Sequence, residues 1–502
     1  MYISKIKLVN YKGFYGITEF DFGSNLTFIS GQNNVGKSTV FSAITVLRDG
    51  KEENLIQNKN KQADVEENVT IAIELTDSNL EKYIESLVTK NKQEVLKSYV
   101  YQDENGQHLT LQRSTEIFEF KKTDGKISST KSGDLTILNK TEDNYENPTG
   151  IDGPLKSLFD IVWIQADQSA DSEVNFKTSG TIGKIISSLS VSFTQTPEFI
   201  KLEQAHKEAF DKLDQTLVPQ LNSQIDNILS DQYGAGISTK IDFILPEIKN
   251  LLSNANLLVD DGIETNIDEK GNGLQRSIAL ALIQFQSTLK NESVEEDEIF
   301  QPIFYLIDEP EVYLHPKGQH KLRDSLVTLS GSTQIFISTH SPFVLDNYSR
   351  NDQKIILLNK VLKEKVGKIE ISDISSELGI FGGVPTTAEI TYYAYEIPTF
   401  EFHNQLFDKV IDLRNISSVK KTDQFIHNNL PSDANPSLLY HTAFQRNDGQ
   451  TTDYDTLPTA IRNKCHHSST DLYSCFTNEQ LQLAIECLIN IIQNIQNSSI
   501  VV

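Results

Sequence analysis

The sequence predicts an α/β fold: a mixed sheet carrying a phosphate-binding loop, interrupted by a short helical arm and followed by a mainly helical C-terminal unit. Three stretches predict it. Gly31-Gln32-Asn33-Asn34-Val35-Gly36-Lys37-Ser38-Thr39 lies between an apolar run, Leu26-Thr27-Phe28-Ile29-Ser30, and a helix-like run, Val40-Phe41-Ser42-Ala43-Ile44. Ile303-Phe304-Tyr305-Leu306-Ile307 reads as a fully buried strand closing on Asp308-Glu309-Pro310-Glu311. Gln334-Ile335-Phe336-Ile337-Ser338-Thr339-His340 repeats that pattern and ends in a polar residue.

In chain order, the first stretch is a P-loop, the strand–loop–helix arrangement that wraps the phosphates of a nucleoside triphosphate. Gly31 and Gly36 allow a tight turn, so that successive N–H groups, those of Asn33, Asn34 and Thr39 among them, point at phosphate oxygens. The helix that follows offers its positive N-terminal end to the same anion. Lys37 is placed to reach the outer phosphates and the Ser38 hydroxyl to hold a magnesium ion.

The second stretch adds chemistry to binding. Asp308 at the strand end suits the magnesium shell, and Glu309 beside it suits polarisation of an attacking water. An exposed acidic turn before Pro310 is the plainer alternative, and it fits poorly behind five apolar residues. In the third stretch, His340 can touch the terminal phosphate or the water; a lone histidine is usually structural, and this one gains weight from following the acidic strand.

About 270 residues separate Lys37 from Asp308, far more than a compact RecA-like core needs. Between them, Lys270-Gly271-Asn272-Gly273-Leu274-Gln275-Arg276 opens an apolar helical run through Ser277–Ile283, a second glycine-rich turn at a helix start. Lying about 35 residues before the acidic strand, it resembles the signature motif of ATP-binding-cassette (ABC) ATPases, with Asn272 where a serine is usual. The alternative is an ordinary helix N-terminus with glycine turns.

Taken together with Ile6-Lys7-Leu8-Val9-Asn10-Tyr11-Lys12-Gly13-Phe14, Asp308-Glu309-Pro310-Glu311-Val312-Tyr313-Leu314-His315-Pro316 and Ser338-Thr339-His340-Ser341-Pro342, these motifs resemble the cassette ATPases related to chromosome-maintenance heads and to the OLD (overcoming lysogenisation defect) group. The resemblance covers roughly residues 1–345. It implies an ABC-type P-loop head that forms a homodimer or higher homo-oligomer through composite ATP sites. Each site would take Lys37, Ser38, Asp308, Glu309 and His340 from one chain and Gly271, Gly273 and Gln275 from the other. It also implies a magnesium-sensing glutamine, Gln165 or Gln168, after the strand-like run Asp160-Ile161-Val162-Trp163-Ile164.

Composition bounds the rest. At 502 residues the chain accommodates two or three units with sizeable cores. No apolar run reaches membrane-spanning length and no signal pattern opens the chain, so no membrane partner is expected. Cys465, Cys475 and Cys487 make no disulfide framework, which points to a reducing cytoplasm. The formal net charge of −24 disfavours a broad nucleic-acid surface while leaving room for a local basic groove. The lysines of Lys51–Lys61 and Lys121–Lys131 are diluted by acidic and polar neighbours and read as solvated faces.

Pattern shifts divide the chain into an N-terminal ATPase lobe (1–194), a helical arm (195–255), a C-terminal ATPase lobe (256–350) and a helical interaction domain (351–502). Early strands are expected around Ile3, Ile6, Leu8, Phe20 and Phe22, then at Val69–Leu75, Ser98–Tyr101 and Ile117–Phe120. Lys121–Gly150 reads as hairpin loops or partly mobile chain. The arm, with Leu202, Phe210, Leu213, Leu217 and Leu221, is too short for a long coiled coil.

Many OLD-type proteins fuse a Toprim nuclease behind the ATPase. Here no convincing Asp-x-Asp follows Ala388-Glu389, so the fused nuclease is expected to be missing. The C-terminal run resembles extensions of stand-alone ATPases in Septu, PARIS and retron anti-phage systems, in which the nuclease is a separate subunit. The resemblance therefore implies a sensor and scaffold ATPase that holds an effector nuclease and answers a phage protein or nucleic acid. Two alternatives stand beside it: a DNA-repair or recombination ATPase binding DNA ends, and a nuclease built on Arg462-Asn463-Lys464-Cys465-His466-His467, which fits the Arg-Asn-x-x-x-His pattern of HEPN ribonucleases. That cluster also reads as a polar network at a helix start, or as a zinc site with Cys475. Behind it, Thr477-Asn478-Glu479-Gln480 is a capping box opening an amphipathic helix.

Overall fold

A computed structural model describes residues 1–165, 196–233, 257–285 and 301–499 apart from short gaps within them. Gln168, Asn272, Arg276, Tyr313 and His315 lie outside the described residues.

Two sheets make the head. The first is antiparallel, in the order Asn144–Glu146, Leu135–Asn139, Gly106–Ser114, Thr70–Asp77, Tyr2–Tyr11 and Phe14–Asp21, with Tyr101–Asp103 also paired to Gly106–Ser114. Ile3, Ile6 and Leu8 all enter the core although Ile3 and Ile6 are an odd number of residues apart. A register shift between Ile3 and Lys5 against the Thr70–Asp77 strand explains this, because one extra residue swaps the faces.

The second sheet runs Asp160–Ile164, Ile303–Asp308, Ile335–Thr339, Leu26–Gly31, Gln353–Lys363, Val366–Asp373. Its first five strands are parallel and the last is antiparallel, so the sheet is mixed as expected. All six residues of the P-loop strand are buried, which is why it reads as an unbroken apolar run. Helix Lys37–Asp49 packs between the sheets, with Phe41, Ile44 and Leu47 joining Ile6, Ile73, Phe304 and Phe336 in one core. The opposite face of the second sheet carries Phe28, Ile307 and Ile337 into another core with helices Pro316–Ser330 and Thr387–Tyr395.

Three expectations shift. The boundary drawn at 350/351 cuts through this sheet, because Gln353–Lys363 pairs in parallel with the P-loop strand itself. The strand expected at Ser98–Tyr101 begins only at Tyr101, since helix Lys90–Lys97 closes on Ser98. The strand expected at Ile117–Phe120 is Glu119–Lys121: Phe120 is buried whereas Ile117 is exposed. The arm appears as helices Pro197–Thr216 and Val218–Tyr233, and two of the leucines that predict it, Leu202 and Leu221, lie exposed.

The C-terminal unit is mainly helical: Phe400–Arg414, Val419–Asn428, Leu457–His467 and Asn478–Ser499 enclose their own core, with a hairpin of Leu439–Gln445 and Thr451–Thr456. Helix Thr387–Tyr395 is shared, sending Ile390 and Ala394 into the head and Ala388 into the C-terminal core. No described helix is long and apolar enough to cross a membrane.

Candidate nucleotide site

The parallel strands end together. Asp308 pairs with Ser338, and Thr339 with Ser30, so the acidic strand, the His340 strand and the P-loop strand discharge their next residues along one edge of the sheet. Ligands bind beyond such carboxyl ends in open α/β sheets.

The loop is built by its glycines. Gly31 has φ +145°, and an added Cβ would stand 2.3 Å from the Leu358 carbonyl oxygen. Gly36 has φ +94° and holds the N-cap of helix Lys37–Asp49 with no side chain capping it. The first-turn N–H groups of a helix lack the usual partner four residues back; here the Thr39 N–H turns onto the Gly36 carbonyl at 3.0 Å and no N-cap side chain competes for the others, which fits an anionic ligand. Asn34 also takes a left-handed φ, 64°.

Lys37 is 6% exposed. Its Nζ donates to the carbonyls of Gly31 at 3.2 Å and Gln32 at 3.0 Å and lies 2.6 Å from His340 Nε2. Burial pulls its pKa down, opposed by the carboxylates of Glu309, Asp308 and Glu311. His340 Nε2 is in turn 3.2 Å from Glu309 Oε1. Asp308 is 5% exposed and accepts hydrogen bonds from the Ser338 and Ser38 hydroxyls. Its pKa is pushed up by burial first and by Glu309 second, with the two serines and Lys37 acting against the rise. A buried aspartate touching the P-loop serine is a donor set suited to a hard divalent ion such as magnesium.

Glu309 sits in a left-handed backbone, φ 45°, and its N–H donates to the Ser338 carbonyl at 3.0 Å. This turn throws its side chain, only partly exposed, toward His340. Lys37, Ser38, Asp308, Glu309 and His340, expected from three separate stretches, are thus brought together. Two neighbours, Ser338 and Glu311, received no role from sequence reasoning although both stand inside the quoted motifs. Their signal was position: each is within two or three residues of a strand end.

Other expected residues fall elsewhere. Ile164 pairs with Ile307, which puts Gln165 one step beyond, level with Asp308 at the same sheet edge. Gln275 is buried, and its Nε2 donates to the carbonyls of Lys270 at 2.6 Å and Asp268 at 3.3 Å, bracing the turn of its own segment. Among the described residues no hydrogen bond joins Gly271, Gly273 or Gln275 to the P-loop. In the C-terminal cluster, Arg462 Nη1 donates to Asn463 Oδ1 at 3.4 Å, and His466 is exposed. Among the described residues no group of three or more His, Cys, Asp or Glu side chains is placed to hold a metal ion; the His467 side chain of the zinc alternative lies outside them.

An uncapped glycine loop, a buried lysine and an acidic pair gathered at the carboxyl edge of a mixed sheet define a P-loop nucleotide-binding head. The AAA ATPase domain family matches residues 1–345, and the chain belongs to that family. The Old nuclease of Escherichia phage P2 is 30% identical over 373 residues, 68% of this chain and 58% of the phage protein, so the chain spans little more than half of that relative. The retron Vc95 probable ATPase of Vibrio cholerae serotype O1 biovar El Tor is 24% identical over 387 residues, 70% of this chain and 73% of the relative. Among solved structures, an Smc head bound to the C-winged helix domain of ScpA aligns over 75% of this chain and 99% of its own, at 16% identity and a TM-score of 0.40. An Smc head with an extended coiled coil, bound to the C-terminal domain of ScpA derived from Pyrococcus furiosus, aligns over 75% and 97%, at 16% identity and a TM-score of 0.39.

Proposed function

We propose that this protein is the ATP-hydrolysing sensor and scaffold subunit of a prokaryotic anti-phage complex, dimerising through composite ATP sites and controlling a separate effector nuclease. The observation that carries the ATPase part is the convergence of Lys37, Ser38, Asp308, Glu309 and His340 at one sheet edge. The defence part is supported by the likeness to a retron ATPase and to the phage nuclease.

In this reading Lys37 binds the outer phosphates, giving up part of its present contact with the Gly31 and Gln32 carbonyls. Ser38 and Asp308 would hold the magnesium ion, and Gln165 would approach it from the neighbouring strand; the ion, when bound, neutralises phosphate charge. Glu309 orients the attacking water and accepts its proton, and His340 steadies that carboxylate from 3.2 Å. Gly271 and Gly273 would meet the nucleotide of the second copy. ATP holds two heads closed and its hydrolysis frees them, a ligand-driven shift between two states.

The test is Glu309→Gln. It should bind ATP with native affinity, lose roughly 10²- to 10⁴-fold in phosphate release, and accumulate as a nucleotide-dependent dimer in sedimentation. A variant that turns over normally removes Glu309 from the chemistry. One that stays monomeric with ATP, while losing turnover, removes the composite site alone.

A further inference from the structure

The acidic strand does not stop contributing at Asp308. After its last ladder pair, Asp308 with Ser338, the left-handed turn at Glu309 carries the chain away from the sheet. Two residues later Glu311 sends its side chain back. Its Oε1 accepts from the Thr339 hydroxyl at 2.7 Å and from the His340 main-chain N–H at 2.8 Å. One carboxylate oxygen therefore replaces the ladder where the neighbouring strand has run out.

Those two donors bracket the start of the turn that carries the imidazole. Thr339 Oγ1 also accepts the Ser341 N–H at 3.0 Å, so the Glu311 contact organises three consecutive residues. The His340 ring is left free to face Lys37 and Glu309, because Glu311 holds its main chain and not its nitrogens. Glu311 is 9% exposed, and its other oxygen, Oε2, is buried with no hydrogen-bond partner among the described residues. Burial pushes its pKa up, against the hydrogen bonds it accepts. Burying a carboxyl is costly, and the Thr339 hydroxyl and His340 N–H that it satisfies offset part of that cost. What the pair of contacts fixes is the main chain from which the imidazole projects.

We propose that Glu311 is a positioning residue for ATP hydrolysis, acting through the Thr339–His340 main chain to aim the His340 imidazole at Glu309 and Lys37. The inference rests on the role given to His340 above. It requires an acceptor at Oε1 and nothing of Oε2.

Glutamine supplies that acceptor and methionine does not, while both match the volume. Glu311→Gln should keep phosphate release within about threefold of native, and Glu311→Met should lower kcat at least about tenfold with KM for ATP changed less than about threefold. Melting curves of both variants establish that each is folded. In a His340→Ala background, Glu311→Met should add no further loss, because a residue acting through another is not additive with it. Equal activity of the Gln and Met variants, or losses that add to His340→Ala, overturns the positioning role while leaving His340 in place. Native turnover by His340→Ala itself would instead remove the histidine from the chemistry, and this inference with it. Should Glu311→Met fail to fold, Thr339→Val takes its place: it deletes one donor to Oε1 and should lower kcat in the same direction, and native kcat there counts against the proposal.

Discussion

Asp308 in the head and Asp423 in the C-terminal unit are both almost fully buried aspartates, yet their surroundings differ in kind. Asp423 accepts the main-chain N–H of Asp455 at 3.0 Å and of Thr456 at 3.1 Å, together with the Thr456 hydroxyl at 2.8 Å. It ties helix Val419–Asn428 to the start of helix Leu457–His467, with both oxygens committed to fixed donors. Asp308 takes its hydrogen bonds from the Ser338 hydroxyl at the end of the neighbouring strand and the Ser38 hydroxyl in the first turn of helix Lys37–Asp49, groups that can turn toward a ligand. Burial of a carboxylate therefore does not mark a site. The nature of its partners does: main-chain donors from one segment make a brace, and side-chain hydroxyls converging from separate elements make room for a ligand.

The contrast can be broken most severely at Lys37. Lys37→Ala removes the buried cation that the three nearby carboxylates face, and ATP binding by calorimetry should fall by at least about 100-fold, a loss near 3 kcal/mol. Unchanged affinity would reduce the loop to a structural turn. The complementary experiment is Asp423→Ala. It strands two buried or half-buried N–H groups and should lower stability by about 4 kcal/mol in urea unfolding, while the folded fraction keeps native ATP affinity. A loss of affinity matching Lys37→Ala would mean that the two regions do not divide the labour in this way.

A smaller effect sharpens the bracing side. His403 is fully buried in the C-terminal core, and burial, only partly offset by Asn404, lowers its pKa from 6.5 to about 4. The unfolded chain then binds more protons than the folded one between those values, so this stabilising contribution is intact above pH 6.5 and is lost as pH falls toward 4. The shift corresponds to about 3 kcal/mol across that window. His403→Phe should flatten this part of the stability profile relative to the native chain; identical slopes would show that the histidine does not titrate with unfolding.

Much of the candidate site was legible because its signals are local. The P-loop, the acidic strand and the His340 strand each combine a short buried run with polar residues immediately beyond it, and a fully buried parallel strand must read that way. Gly31 and Gly36 could be assigned to the loop because only glycine tolerates their backbone. Glu311 and Ser338 escaped, since their work is done across strands that lie about 30 residues apart in sequence. Gln275 was read as facing nucleotide, and its side-chain amide nitrogen is instead spent on carbonyls of its own turn. The fifth strand of the second sheet was missed for the same reason: Gln353–Lys363 shows its place only by pairing with Leu26–Gly31.

The sequence by itself determined which residue types stand at the ends of which strands, because hydrophobic periodicity and glycine conformation are decided within a few neighbours. Only the tertiary structure decided that those ends meet, that Glu311 turns back to hold Thr339 and His340, and that helix Thr387–Tyr395 serves two cores at once. Strand order and register are settled by burying both faces of a sheet simultaneously, and that requirement involves the whole chain.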